Sequence, residues 1–140
     1  MRRNVQVYIL ESQSNKLLLL KRTQERSGNW QPVCGGIEPG EHAIDAAKRE
    51  VHEETGITCN SPLTKLSYEF DYKTTKDGVL MDMNDVCFLM RLPYPFDITL
   101  SHEHEVFEWI NLTSINDYTE WEPIRTVVKD LSDLYAINSR

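Results

Sequence analysis

A chain of 140 residues that is 40% hydrophobic and 26% charged has enough apolar sequence to bury a core without disulfide or metal staples. Its formal charge of -7 excludes the basic stripe of a general nucleic-acid surface, and no apolar run approaches the roughly 18 residues that would cross a bilayer. Cys34, Cys59 and Cys87 are scattered and form no C-x-x-C pair, which excludes a disulfide framework or zinc site and fits reduced thiols in a soluble, cytoplasmic protein.

Arg2-Arg3 precede only a short apolar stretch interrupted by Gln6, which makes no secretory segment. Residues 5–10 and 17–20 are apolar runs separated by Ser12, Ser14 and Asn15, the pattern of an early hairpin. Glu38-Pro39-Gly40 reads as a type II turn, with Pro presetting φ and Gly tolerating a positive one. A helix is expected over about 42–55, because Ile44, Ala47 and Val51 recur at core-facing spacing and Thr55-Gly56 supplies a left-handed stop.

Further along, Leu66, Tyr68, Phe70 and Tyr72 alternate with strand period, and residues 86–92 form a strand that pairs back across Lys76-Asp77-Gly78. Pro93 and Pro95 end it. A strand over 106–110 follows. From Trp121 onward, Ile124, Val127, Val128, Leu131, Leu134 and Tyr135 follow helical spacing, with Pro123 tolerated in the first turn. No repeat, low-complexity tract or linker divides the chain, so residues 1–140 are expected to form one domain.

Glu50, Glu53 and Glu54 stand at i, i+3 and i+4, which brings three carboxylates together on one side of the helix. Two like charges about 5 to 6 Å apart repel by roughly 3 kcal/mol at an effective dielectric of about 20. In the open such a trio is merely a solvated face. In a cleft it needs a cation, and hard cations such as Mg²⁺ share carboxylate oxygens with substrate phosphates. Metal neutralisation would also reconcile an acidic chain with a polyphosphate ligand.

Gly35, five residues, Glu41, seven residues and then Arg49-Glu50-Val51-His52-Glu53-Glu54-Thr55-Gly56-Ile57 match the signature of the Nudix hydrolases at every specified position. The resemblance places the Nudix box at residues 35–57. It implies an α/β class fold, an α/β/α sandwich around a mixed sheet, with the box helix carrying Mg²⁺ or Mn²⁺. Carried over by position, Glu50 and Glu54 are metal ligands, Glu53 ligates a further metal or orients water, and the carbonyl of Cys34 is another ligand. The Cys34 side chain departs from the small residue usual there. Arg49 and Glu41 brace the helix. The implied reaction is attack of a metal-activated water on a nucleoside diphosphate linked to another group, without a covalent intermediate.

Two residues compete as general base, Glu53 and Glu103. The second lies in Ser101-His102-Glu103-His104 ahead of Trp109, and resembles an extra metal ligand or base that several Nudix enzymes supply from a facing loop. His102 and His104 read as solvent-exposed loop histidines, and Glu105 and Glu108 as surface residues. Trp30-Gln31 before Val33, Glu103-His104 with Trp109, and Thr119 with Trp121 resemble bacterial dihydroneopterin triphosphate pyrophosphohydrolases, which also cleave dATP. That likeness assigns Arg22 and Arg2 to substrate contacts, each against a reading as plain surface charge, and leaves Trp30 either packing or stacking on a base or pterin. The expected partner is a small nucleotide or pterin polyphosphate, with neither a nucleic-acid polymer nor a membrane; the family resemblance admits a homodimer. Two alternatives stay open: cleavage of ADP-ribose, a dinucleoside polyphosphate or another conjugate, and a nucleotide-binding regulator of Nudix fold.

Overall fold

The computed structural model describes residues 1–58 and 60–136, so the expectation for Cys59 lies outside the described residues. The first strand, β1 (Arg2–Glu11), is buried from Asn4 to Glu11 because it has neighbours on both sides. It runs parallel to β6 (Val79–Leu92), from Arg2↔Met83 to Glu11↔Leu92. Its other edge is shared antiparallel between β4 (Val33–Gly36) near the start and β2 (Lys16–Arg22) near the end. The expected hairpin of β1 and β2 therefore forms. Its turn is held by the fully buried Glu11 carboxylate, which accepts from the N–H groups of Gln13, Ser14 and Lys16 at 2.9 to 3.0 Å.

The short β3 (Trp30–Gln31) and β7 (His104–Asn111) pair with opposite edges of β2, Leu20 meeting Gln31 on one side and Phe107 on the other, and β5 (Leu63–Lys76) completes the sheet against β6. Asp77 (φ 52°) and Gly78 (φ 78°) make the tight β5–β6 turn, as an Asp-Gly pair with two positive φ values permits. Strand β6 starts well before residue 86, where the expectation began it. The polar stretch ahead of Val86 hides the strand because Asn84 and Asp85 are buried through hydrogen bonds instead of apolar contact.

Alternate residues of β1 face opposite layers, and two cores result. Val5, Val7 and Ile9 pack with Leu18 and Leu20 under α1 (Ala43–Thr55), against Ala46, Ala47 and Val51. Tyr8, Leu10, Leu17 and Leu19 pack under α2 (Glu122–Leu131), against Ile124, Val127, Val128 and Leu131. Each buried aliphatic side chain contributes about 1.5 to 3 kcal/mol. The architecture is the α/β/α sandwich around a mixed sheet.

Two apolar side chains expected on the buried helix faces are exposed instead. Ile44 is 40% exposed: the buried face of α1 includes the carboxylates Glu50 and Glu54, which rotates it away from Ile44. Leu134 is 58% exposed, since α2 widens into a π-type turn over Ser132–Ala136 and the 3.6-residue repeat is lost there. Tyr135 stays half-buried, with the Arg91 guanidinium 4.2 Å from its ring centre. Among the described residues no helix is long and apolar enough to cross a membrane.

Candidate active site

The turn ahead of α1 closes as expected, with Glu41 N–H donating to Glu38 O at 3.0 Å and Gly40 at φ 77°. At the other end Gly56 takes the left-handed cap at φ 76°. Between them, the helix presses Glu50 against β4 so closely that a Cβ added to Gly35 would lie 2.0 Å from the Glu50 carboxyl carbon. Glycine is required here by space. Gly35→Ala is expected to displace the Glu50 carboxylate and weaken metal affinity about tenfold or more, a loss read by titration calorimetry with Mn²⁺.

Arg49 gathers this corner. Its Nε and Nη2 donate to the two oxygens of Glu41, both at 2.9 Å, and Nη2 also donates to the Gly36 carbonyl at 2.9 Å. Nη1 donates to Glu50 Oε1 at 2.8 Å and to Glu53 Oε2 at 3.3 Å. The fork holds the Glu41 carboxyl down at about 2. Arg49 and Glu41, the two residues expected to brace the helix, form a bidentate pair.

The three glutamates differ in environment. Glu50 is buried, and burial pushes its carboxyl up to about 7 despite Arg49, with Glu53 and Glu54 adding repulsion. Glu53 sits at the rim, its side chain about half exposed. Glu54 is buried too: burial raises its carboxyl, but His104 and Ser101 hold it below the usual value. Ser101 Oγ donates to Glu54 Oε2 at 3.0 Å, and His104 Nδ1 lies 2.7 Å from the same oxygen, an ion-pair approach that falls short of hydrogen-bond alignment.

His104 is thus buried, not the exposed loop residue expected, since it opens β7 opposite Arg22 and turns inward onto α1. No periodicity marked it; only its place beside Glu103 did. His102 is exposed as expected, Glu105 pairs with Lys21 at 3.2 Å, and Glu108 accepts the Tyr118 hydroxyl.

A cleft of about 910 Å³ runs along this corner, and Glu50, Glu53, Glu54 and Glu103 line it. Arg2, Arg22, Trp30 and Cys34 line it as well, so of the site residues expected from the sequence only Arg49 and Glu41 are not in its lining. Arg2 lies over Gly36 and donates from Nε to Asn4 Oδ1 at 3.1 Å. Trp30 packs edge-on to Tyr118 with ring centres 5.3 Å apart. The Cys34 thiol donates to the Pro32 carbonyl at 3.3 Å, and burial pushes its ionisation well up. Tyr72, Asp85 and Trp121 line the cleft too. A second depression, about 590 Å³ between residues 112–117 and α2, holds none of these groups.

The donors are hard oxygens, which suit Mg²⁺ or Mn²⁺. Among the described residues no three His, Cys, Asp or Glu side chains converge as a ready-made cage. A Glu50 carboxyl raised to about 7 is protonated more readily folded than unfolded, so without cation its share of stability is full below about pH 4.5 and lost as pH rises through about 7. Mg²⁺ is accordingly expected to raise Tm more at pH 8 than at pH 6, measured by calorimetry.

The NUDIX domain model matches residues 1–131, and the chain belongs to the Nudix hydrolases. It is 32% identical over 114 residues to an octanoyltransferase of Myxococcus xanthus, covering 81% of this chain but only 31% of that protein. It is 32% identical over 136 residues to an RNA pyrophosphohydrolase of Ruthia magnifica, covering 91% of this chain and 73% of the relative. The solved structure of the E. coli dihydroneopterin triphosphate pyrophosphohydrolase superposes with a TM-score of 0.81 at 24% identity, covering 91% of this chain and 92% of that one, which is a likeness of fold.

Proposed function

We propose that the chain is a divalent-metal-dependent pyrophosphohydrolase that cleaves a nucleoside or pterin triphosphate to the monophosphate and pyrophosphate. The observation that carries this reading is the cleft itself, which four glutamates line together with the aromatic side chains Trp30, Tyr72 and Trp121. The Ruthia relative's name, a pyrophosphohydrolase, supports the same reaction class.

Glu50 and Glu54 would hold Mg²⁺ or Mn²⁺, with Glu53, Glu103 and the Cys34 carbonyl as further donors. When bound, the cation would polarise phosphoryl oxygens and neutralise charge on the entering and leaving groups. Arg49, clamped by Glu41, fixes Glu50 while keeping Glu53 within reach of the cleft. His104 and Ser101 orient Glu54 through its Oε2, an aid to precise placement of a ligand carboxylate. Glu53 or Glu103 takes the proton from the attacking water. Arg22 and Arg2 contact substrate phosphates, and Trp30 borders the ring of the base or pterin.

A second reading, hydrolysis of a dinucleoside polyphosphate or another conjugate, is favoured by one feature. Lys73 and Lys76 of the β5–β6 arm line the same cleft and would meet a longer polyphosphate. The test is turnover with Mg²⁺ of dihydroneopterin triphosphate, the dNTPs, ADP-ribose and diadenosine polyphosphates. Fast cleavage of the triphosphates is expected. Cleavage confined to the conjugates would replace the substrate class, and tight nucleotide binding without turnover would turn the chain into a binding module.

A further inference from the structure

We infer that Asp85 reads the substrate's ring, pairing with an edge on which an amino group sits beside a ring N–H, as in guanine and pterin, and so selecting such rings over adenine. This rests on the reading that the cleft takes a nucleoside or pterin triphosphate.

Asp85 lies on β6, in register with Asn4 of β1 and Phe70 of β5, and lines the cleft although only 4% of it is exposed. Its Oδ1 accepts from Asn4 Nδ2 and the Tyr72 hydroxyl, both at 2.9 Å. Its Oδ2 accepts from Gln6 Nε2 at 2.9 Å, and Gln6 is fixed in turn by the Tyr8 hydroxyl at 2.6 Å. All of these donors are neutral. Among the described residues no Lys, Arg or His forms an ion pair with this carboxylate. A buried charge without a counter-charge is strongly unfavourable, and packing alone would favour an apolar side chain here, as Leu89 provides further along the strand.

Asp85 and Tyr72 both line the cavity, so the arrangement holds two acceptor groups at its wall. Oδ2, with one donor, retains an open acceptor direction, and the Tyr72 oxygen, having given its proton to Oδ1, keeps acceptor capacity beside the Asn4 amide that approaches it. Tyr72 also meets Trp121 edge to face with ring centres 5.2 Å apart, so the acceptors stand beside an aromatic wall. A flat ring with two adjacent N–H donors satisfies both wall and acceptors. Adenine presents a ring acceptor next to its amino group and leaves one pair of lone pairs facing each other. A ribose diol offers two donors without using the aromatic wall.

The test is calorimetric binding, with Mg²⁺, of the α,β-methylene analogues of GTP, dGTP, ITP and ATP. The guanosine analogue is expected to bind about 10- to 100-fold tighter than the inosine analogue, which lacks only the amino group, and tighter than the adenosine analogue, with the 2′-deoxy form equal to the ribo form. Asp85→Asn is expected to bring guanosine to within about threefold of inosine; if that variant does not fold, the wild-type comparison decides alone. Equal affinities for the three rings, no binding of any, or a loss confined to the 2′-deoxy analogue would overturn the inference. Displacement of the guanosine analogue by dihydroneopterin triphosphate separates the two ring sources: displacement at comparable concentration points to pterin, and displacement only at large excess points to guanine. Guanosine preference without hydrolysis of the parent triphosphates would end the proposed function and leave this inference standing.

Discussion

Glu53→Gln is expected to lower kcat by about 100-fold or more while leaving Tm within about 2 °C of the parent. The two halves of that result have separate causes. Glu53 stands at the rim with its side chain about half exposed, and its contact with Arg49 is 3.3 Å, so an exposed ion pair of small worth is all the fold loses. Its carboxylate borders the cleft between the buried Glu50 and Glu54, where a base would take a proton from water. Glu103→Gln is expected to cost as much, because that carboxyl faces the same space from the loop ahead of β7. The variant whose kcat loses the acidic limb of its pH profile identifies the base. Near-wild-type turnover in either variant would remove that residue from the role.

Arg49→Ala is expected to cost both activity and stability. The guanidinium makes five polar contacts, to Glu41 twice, to Glu50, to Glu53 and to the Gly36 carbonyl. Removing it leaves Glu41 and the buried Glu50 without their cation and frees the Gly36 carbonyl, and losing the charged hydrogen bond to Glu50 costs about 1.5 to 3 kcal/mol. For a chain of this length that is a fall in Tm of roughly 5 to 10 °C. Since Arg49 positions Glu50 without touching the reacting atoms, kcat/KM should fall by about 100-fold or more, with saturating Mn²⁺ restoring part of it. Arg49→Lys should recover little, because an ammonium cannot span the two Glu41 oxygens and Gly36 together. Thermal melts and metal-dependent kinetics of the two variants check this; an Arg49→Ala protein with unchanged Tm and turnover would refute the bracing role.

The parts of this site that lie within one helix and its flanking turns were legible in the sequence. Pro39-Gly40, Gly56 and the spacing of Glu50, Glu53 and Glu54 act over a few residues, and local physics decides them. The unequal burial of the glutamates was not legible, since it depends on β4 meeting the helix at Gly35. His104 escaped for the same reason: its partner Glu54 lies on another element, and nothing in the Ser101-His102-Glu103-His104 stretch tells the buried histidine from the exposed one. The network of Asp85 was further out of reach. Asn4 and Asp85 are 81 positions apart, and only the parallel pairing of β1 with β6 joins them. Even within a single element, carboxylates that share the buried face of α1 with apolar groups hide the exposure of Ile44.

The central claim is metal-dependent release of pyrophosphate at the box cleft, and product identification tests it most directly. The purified protein would be incubated with the best triphosphate of the panel, with Mg²⁺ and with excess EDTA, and the phosphorus products resolved by ³¹P NMR. Equimolar monophosphate and pyrophosphate with Mg²⁺, and no products with EDTA, is the predicted result. Release of orthophosphate and a diphosphate, or turnover that survives EDTA, would contradict it.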